Sequence, residues 1–186
     1  MAVRPTMAYL ITFVRELIND PAGADQVFTD QQIQDRLDLN RLDRYAEKLK
    51  EADTLTASGS IEWHDFFSKL PFWETDLLIQ DPDGDTKTPD VSEPLIGKFH
   101  FNAAQNELPL LITGKVYNVY GVAATLATML VAELRAQIMS WTADGTTVTR
   151  IGQVQNLQKL AEKYYAMSWG WGDSTQVKLV RKDLKN

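Results

Sequence analysis

The chain has 186 residues, of which 44% are hydrophobic and 24% are charged. These values are typical of one globular domain, or of one domain with an insertion, and exclude a disordered or fibrous chain. Its 19 basic and 25 acidic residues give a net charge of −6. This charge argues against tight binding to nucleic acid, because neutralising phosphates requires a dense basic surface.

The chain contains no cysteine and two histidines, His64 and His100. Without cysteine there can be no thiol nucleophile, thiolate-bound zinc, iron–sulfur cluster or disulfide. Two histidines in different sequence contexts offer little material for a catalytic triad or a histidine metal site. We therefore expect no enzyme activity and no cofactor.

The first 40 residues or so predict two short helices. Apolar residues at helical spacing predict a first helix that is capped by Thr6 and stopped by residues 19–23. Thr29 and Gln32 have the spacing of a capping box, in which each side chain accepts a hydrogen bond from the backbone of the other residue. A second helix is predicted to begin there.

The middle of the chain, residues 42–112, predicts a β-rich segment. Helical spacing fades there, and five prolines divide the sequence into short pieces. Strands are predicted at residues 76–80, 96–101 and 108–113, and a turn at residues 81–84. Residues 41–55 fit either a helix or a long irregular strand, and periodicity alone does not separate these alternatives.

Helical spacing returns after Gly114 and predicts a third helix that is apolar on nearly all sides. Such a helix is either central in the core or shared with a neighbouring subunit. An Asp144-Gly145 turn and a fourth helix from about Thr149 to Met167 follow. Residues 174–186 carry four basic residues and one acidic residue. We interpret them as a tail that adds a strand to a partner or docks on it, with a frayed terminus as the alternative.

The order of these segments resembles the head-to-tail connector, or adaptor, proteins of tailed bacteriophages. The likeness is carried by LINDP at residues 17–21, VFTD at 27–30, TGKVYNVYGVAA at 113–124 and SWTADG at 140–145. Asn118 departs from the acidic residue expected in that family, and the smallest connectors lack the long middle segment. The resemblance therefore covers both helical ends, about half of the chain.

The resemblance implies a mainly α-helical α+β fold with a four-helix connector body at residues 1–41 and 113–173. A β-rich insertion between helices 2 and 3 would occupy residues 42–112, and an extended C-terminal tail residues 174–186. It also implies a structural virion protein, assembled in the bacterial host cytoplasm and located at the head–tail interface. Copies would form a dodecameric ring that docks on the portal protein above and on a tail, neck or stopper protein below. DNA would pass through the ring without sequence-specific binding, and no membrane would be involved.

Three groups of residues are candidates for these contacts. Portal binding is assigned to the tail residues Val177, Lys178, Leu179, Val180, Arg181 and Lys182. Packing between subunits is assigned to the third helix at Tyr117, Tyr120, Ala124, Leu126, Ala127 and Leu130. The candidates for an interface on the insertion are its aromatic residues Trp63, Phe66, Phe67, Phe72 and Trp73.

A second hypothesis is a carbohydrate-binding or glycan-hydrolysing module centred on residues 62–76. There the same aromatic residues alternate with the carboxylates of Glu62, Asp65, Glu74 and Asp76.

Asp81, Asp83 and Asp85 have the alternating spacing of the carboxylates in a calcium loop. However, Thr86 and Ser92 stand where such a loop needs glycine and glutamate. We therefore predict a solvated acidic turn and no metal.

Overall fold

A computed structural model describes residues 2–55, 59–139 and 147–168. A 3₁₀ turn, Pro5–Met7, leads directly into helix α1, Ala8–Ile18, and helix α2 spans Asp30–Leu39. Thr6 does not cap α1, since it lies inside the 3₁₀ turn. The capping box of α2 is confirmed: the Gln32 N–H donates to the Thr29 hydroxyl at 3.2 Å, and the Thr29 N–H donates to the Gln32 side chain at 2.8 Å.

Strands fill the middle of the chain. The bounds are β1 Arg41–Lys48, β2 Lys50–Leu55, β3 Ile61–Phe67, β4 Leu78–Gln80, β5 Val91–Glu93, β6 Lys98–His100 and β7 Leu111–Tyr117. They form two antiparallel sheets, sheet A in the order β1-β7-β4 and sheet B in the order β2-β3-β6-β5. Helix α3, Val119–Met139, and helix α4, Thr147–Ser168, follow.

Residues 41–55, whose sequence fits either a helix or a strand, form the two strands β1 and β2 with Leu49 between them. They leave sheet A and enter sheet B at Leu49, which is fully buried and donates its N–H to the Leu110 carbonyl at 2.9 Å. One stretch of chain thus joins the two sheets, and the β-rich prediction for the middle of the chain is confirmed.

The prediction of a mainly helical fold is wrong. The described residues form four α-helices and seven strands in two antiparallel sheets, which is a mixed α+β fold and not a connector-type helical bundle. The error arises partly at residues 113–117, which were assigned to the helical body and form the end of β7. A Cβ on Gly114 would lie 3.1 Å from the Leu77 Cβ, so the glycine allows close packing within the sheet region.

Helix α3 therefore begins later than predicted, after Asn118. The Asn118 side chain accepts a hydrogen bond from the Gly121 N–H at 2.9 Å, and its carbonyl accepts one from Val122 at 3.1 Å. Asparagine and aspartate are equally good caps at a helix N-terminus. The Asn118 side chain therefore caps the first turn of α3.

The buried hydrophobic side chains form two clusters among the described residues. The first joins α1, α2, α3 and α4, with Leu10, Val14, Ile33 and Val122 fully buried. The second joins sheet A to sheet B. Strands β1 and β7 are antiparallel neighbours, and Arg41 lies opposite Tyr117. The two ends of the 42–112 segment therefore lie side by side.

In the described ranges, no helix has both the length and the apolar character to cross a membrane.

Candidate functional site

An open apolar groove runs between α3 and α4. It has a volume of about 740 Å³. The small or apolar residues of its lining include Ala124, Thr128, Met129 and Ala132 of α3 and Ala161, Tyr165 and Ala166 of α4. We call this surface the α3–α4 groove. Alanine and threonine supply much of the α3 side of its lining.

The exposed residues of the groove include two large apolar side chains. Met129 is 40% exposed and Tyr165 is 59% exposed. Arg135 and Glu162 add one charge of each sign to the lining. A concave surface with an apolar floor and a few charges has the composition of a protein interface.

The six residues predicted to pack between subunits lie mostly inside this chain. Tyr117, Ala124, Leu126 and Ala127 are buried in its own core, and Tyr120 and Leu130 are partly buried against it. The sequence therefore identified the inner face of the helix. The outward stripe of Thr125, Thr128, Met129 and Ala132 was missed, although its helical spacing is visible in the sequence.

A buried carboxylate, Glu74, fixes the first residues of the chain to sheet A. Its Oε1 accepts from the Thr6 hydroxyl at 2.5 Å and from Arg4 at 3.1 Å, and its Oε2 accepts from the Tyr117 hydroxyl at 2.5 Å. The ammonium of Lys115 lies 3.5 Å from the same oxygen. Burial alone would raise the pKa of Glu74, but these donors and cations together lower it from its ordinary value. Glu74 is therefore a structural anion and not an accessible base.

Arg4 extends this network to α2. Its guanidinium contacts Asp38 at 2.6 Å, and the hydrogen bond from Arg4 to Asp38 is the main reason that the pKa of Arg4 is raised. Arg4, Glu74 and Asp38 thus connect the N-terminal turn, sheet A and α2.

Aromatic residues connect the 42–112 segment to the helices. Phe72 stacks on Phe13 at 5.7 Å and meets Tyr120 edge-on at 5.5 Å, and Tyr120 stacks on Tyr164 at 6.0 Å. The Tyr164 hydroxyl donates to the Leu17 carbonyl at 2.9 Å. This chain of rings positions α4 against α1 and so shapes one wall of the α3–α4 groove.

Only two of the five aromatic candidates of the insertion are accessible. Phe66, Phe72 and Trp73 are buried in the core, whereas Trp63 is partly exposed and Phe67 is exposed. The Trp63 indole donates to Asp53 at 3.0 Å. A carbohydrate platform in residues 62–76 would therefore have only Trp63 and Phe67 as accessible aromatic residues. Glu74, one of the four carboxylates proposed for this module, is buried.

The two histidines stack on each other on sheet B. Their ring centroids are 6.2 Å apart, with His64 near Glu62 at 3.1 Å and His100 near Asp65 at 3.1 Å. The Phe101 carbonyl and Glu62 raise the pKa of His64. The sequence did not predict this pairing, which follows from β3 lying beside β6.

The carboxylate of Asp81 organises the acidic turn. Its Oδ1 accepts the N–H groups of Asp83 and Asp85, and its Oδ2 lies 2.9 Å from the Lys87 ammonium. Among the described residues, no group of three or more histidine or acidic side chains is placed to hold a metal ion.

The tail candidates, Val177 to Lys182, lie outside the described residues, as does the Asp144-Gly145 turn. The fourth helix is confirmed close to its predicted bounds.

No family model, curated protein or solved structure matches the chain.

Proposed function

We propose that the chain is a non-catalytic, structural subunit of a tailed-phage head-to-tail connector, which assembles into a ring on the portal protein. The observation that carries the assembly part of this proposal is the α3–α4 groove. The connector part is supported by the order of segments in the sequence. The ring would sit at the head–tail interface of the virion, with a tail, neck or stopper protein below it.

The groove supports assembly because it presents apolar surface that a neighbouring subunit would cover. Met129 and Tyr165 are large apolar residues at its surface, and burying each against a neighbour would contribute roughly 1.5–3 kcal/mol. A ring needs two different complementary surfaces on each subunit, of which the groove would be one.

The charge of the chain suits a DNA channel. A net charge of −6 repels the phosphate backbone on average, so that a duplex can slide through without being held. The basic residues 174–186 are proposed to dock on the portal protein by adding a strand to it or lying in one of its grooves.

Binding of the full chain to its cognate portal tests this proposal. We expect binding by the wild type, loss of binding on deleting residues 174–186, and loss of the ring in Ala132→Glu, which places a carboxylate in the groove. Gln153→Glu is the matched control, because Gln153 is exposed on α4 and does not line the groove.

A second control addresses the carbohydrate hypothesis. Trp63→Ala is expected to leave portal binding unchanged, and Trp73 is unsuitable for this purpose because it is fully buried. Portal binding that survives the deletion of residues 174–186 and the Ala132→Glu change would contradict the proposal. A loss caused by Trp63→Ala would contradict it as well.

A further inference from the structure

A small basic pocket lies beside β1, far along the chain from the α3–α4 groove. It has a volume of about 260 Å³ and is lined by Arg44, Glu47, Lys48, Lys69 and Leu70. We call it the β1 pocket. Three of its five lining residues are cations, although the whole chain has a net charge of −6.

The backbone of β1 is bulged at this point. Between Arg44 and Glu47 the strand advances three residues while β7 advances two, and Ala46 has a φ of 50°. The Ala46 N–H leaves the regular ladder and donates to the Thr113 hydroxyl at 2.9 Å. A non-glycine residue in this conformation costs free energy, and bulges commonly redirect side chains at functional sites.

The bulge brings Arg44 and Glu47 to the same side of the strand. In a regular strand, residues three apart point to opposite faces, but here Nη1 of Arg44 lies 3.3 Å from the Glu47 carboxylate. This contact leaves another donor of the guanidinium free. Nε of Arg44 is buried and has no hydrogen-bond partner among the described residues.

The other cations leave the pocket positive. Lys69 makes no ion pair within the described part of the chain, and Lys48 lies 3.7 Å from Glu51. Guanidinium and ammonium groups hold an oxyanion through charge-assisted hydrogen bonds. The volume is several times the roughly 30 Å³ of one liquid water, so a tetrahedral anion fits.

We propose that the β1 pocket binds a phosphate group, held by the guanidinium of Arg44 and by the ammonium groups of Lys48 and Lys69. The phosphate could belong to inorganic phosphate or to a nucleic-acid backbone, since both present the same charged oxygens. The inference does not depend on ring assembly. It concerns a different surface from the α3–α4 groove.

Titration of the full-length, ¹⁵N-labelled protein with inorganic phosphate tests this inference, with sodium chloride at equal ionic strength as the blank. We expect saturable amide shifts at residues 44–48 and 69–70. Arg44→Gln should raise the dissociation constant about tenfold or more. The dissociation constant of Arg44→Lys should lie between those of the wild type and Arg44→Gln, because lysine keeps the charge but lacks the planar donor set.

Two further variants separate binding from folding. Lys69→Ala changes an exposed side chain and should weaken binding without lowering the thermal midpoint. Arg41→Gln is the matched control on β1, because Arg41 pairs with Asp43 and does not line the pocket; its phosphate affinity should equal that of the wild type.

A short DNA duplex replaces phosphate in the second arm of the experiment. If it shifts the same amides, the source of the phosphate is a nucleic-acid backbone, whereas a response to inorganic phosphate alone indicates a free phosphate. Absence of a response in both arms, or equal responses in the wild type and Arg44→Gln, would overturn the inference.

Discussion

The hydroxyl of Tyr117, at the end of β7, donates a 2.5 Å hydrogen bond to the buried carboxylate of Glu74. Arg4 and Thr6 of the N-terminal turn donate to the other oxygen of the same carboxylate. The contact between Tyr117 and Glu74 therefore lies where the helical cluster meets sheet A. It helps to set the position from which α3 starts two residues later.

Replacing Tyr117 by phenylalanine should destabilise the protein. The change removes two hydrogen bonds, the one that Tyr117 donates to the buried carboxylate of Glu74 and the one that it accepts from Arg4 at 3.1 Å. The expected loss is about 1–3 kcal/mol in the free energy of unfolding. Urea unfolding of both proteins measures it. Tyr45→Phe is the matched control, because Tyr45 is 77% exposed and its replacement should change the stability little.

The stability of the protein should fall in acid because of Glu74. Its pKa in the folded protein is lowered from the ordinary value of 4.5. The ionised carboxylate of Glu74 therefore stabilises the folded protein fully above pH 4.5, and this contribution is lost as the pH falls through the pKa of Glu74 in the folded protein.

Glu74→Gln is expected to be less stable at neutral pH and to lose less stability between about pH 6 and pH 3 than the wild type. Unfolding curves recorded across this range provide the comparison. Parallel profiles for the two proteins would show that Glu74 does not contribute to acid sensitivity.

The capping box at the start of α2 makes a separate contribution. Thr29→Ala should cost about 0.5–2 kcal/mol, because the Gln32 N–H loses its acceptor. Thr29→Ser keeps the hydroxyl and should retain most of the stability. Equal losses in the two variants, measured by thermal unfolding, would show that the hydroxyl does not carry the effect.

His64 should titrate above its ordinary pKa of 6.5, because the Phe101 carbonyl and the Glu62 carboxylate stabilise its protonated form. A raised pKa means that this contribution to stability is present below pH 6.5 and is lost as the pH rises through the folded value. NMR titration of the ring protons gives the midpoint. Glu62→Gln should lower it, whereas Glu16→Gln, on the exposed face of α1, should leave it unchanged.

The sequence predicted the local features well where short-range chemistry decides them. The Thr29 capping box and the stop of α1 at Asn19 each depend on neighbouring residues. The acidic turn was predicted to be solvated, but Asp81 is only 2% exposed and pairs with Lys87. The predicted proportion of helix to strand was wrong, partly because the pattern around residues 113–117 has the apolar character of either a helix or a buried strand. Pairing of β7 with β1 and β4 decides between them, and this contact is long-range.

The candidate site was predicted in part. Apolar residues of α3 were identified, but periodicity marks the buried face of a helix and does not show which exposed residues line a groove. The position of Met129 and Tyr165 in one concave surface depends on the packing of α3 against α4. Likewise, the sequence of the 42–112 segment does not show that Phe66 and Trp73 fill a core between two sheets.

Electron microscopy of the protein mixed with its assembled cognate portal tests the central claim most directly. The account predicts an added ring of density on the portal for the wild type and for Gln153→Glu, and no ring for Ala132→Glu. Portal particles that remain bare with the wild-type protein, or that gain the same ring with Ala132→Glu, would contradict assembly through the α3–α4 groove.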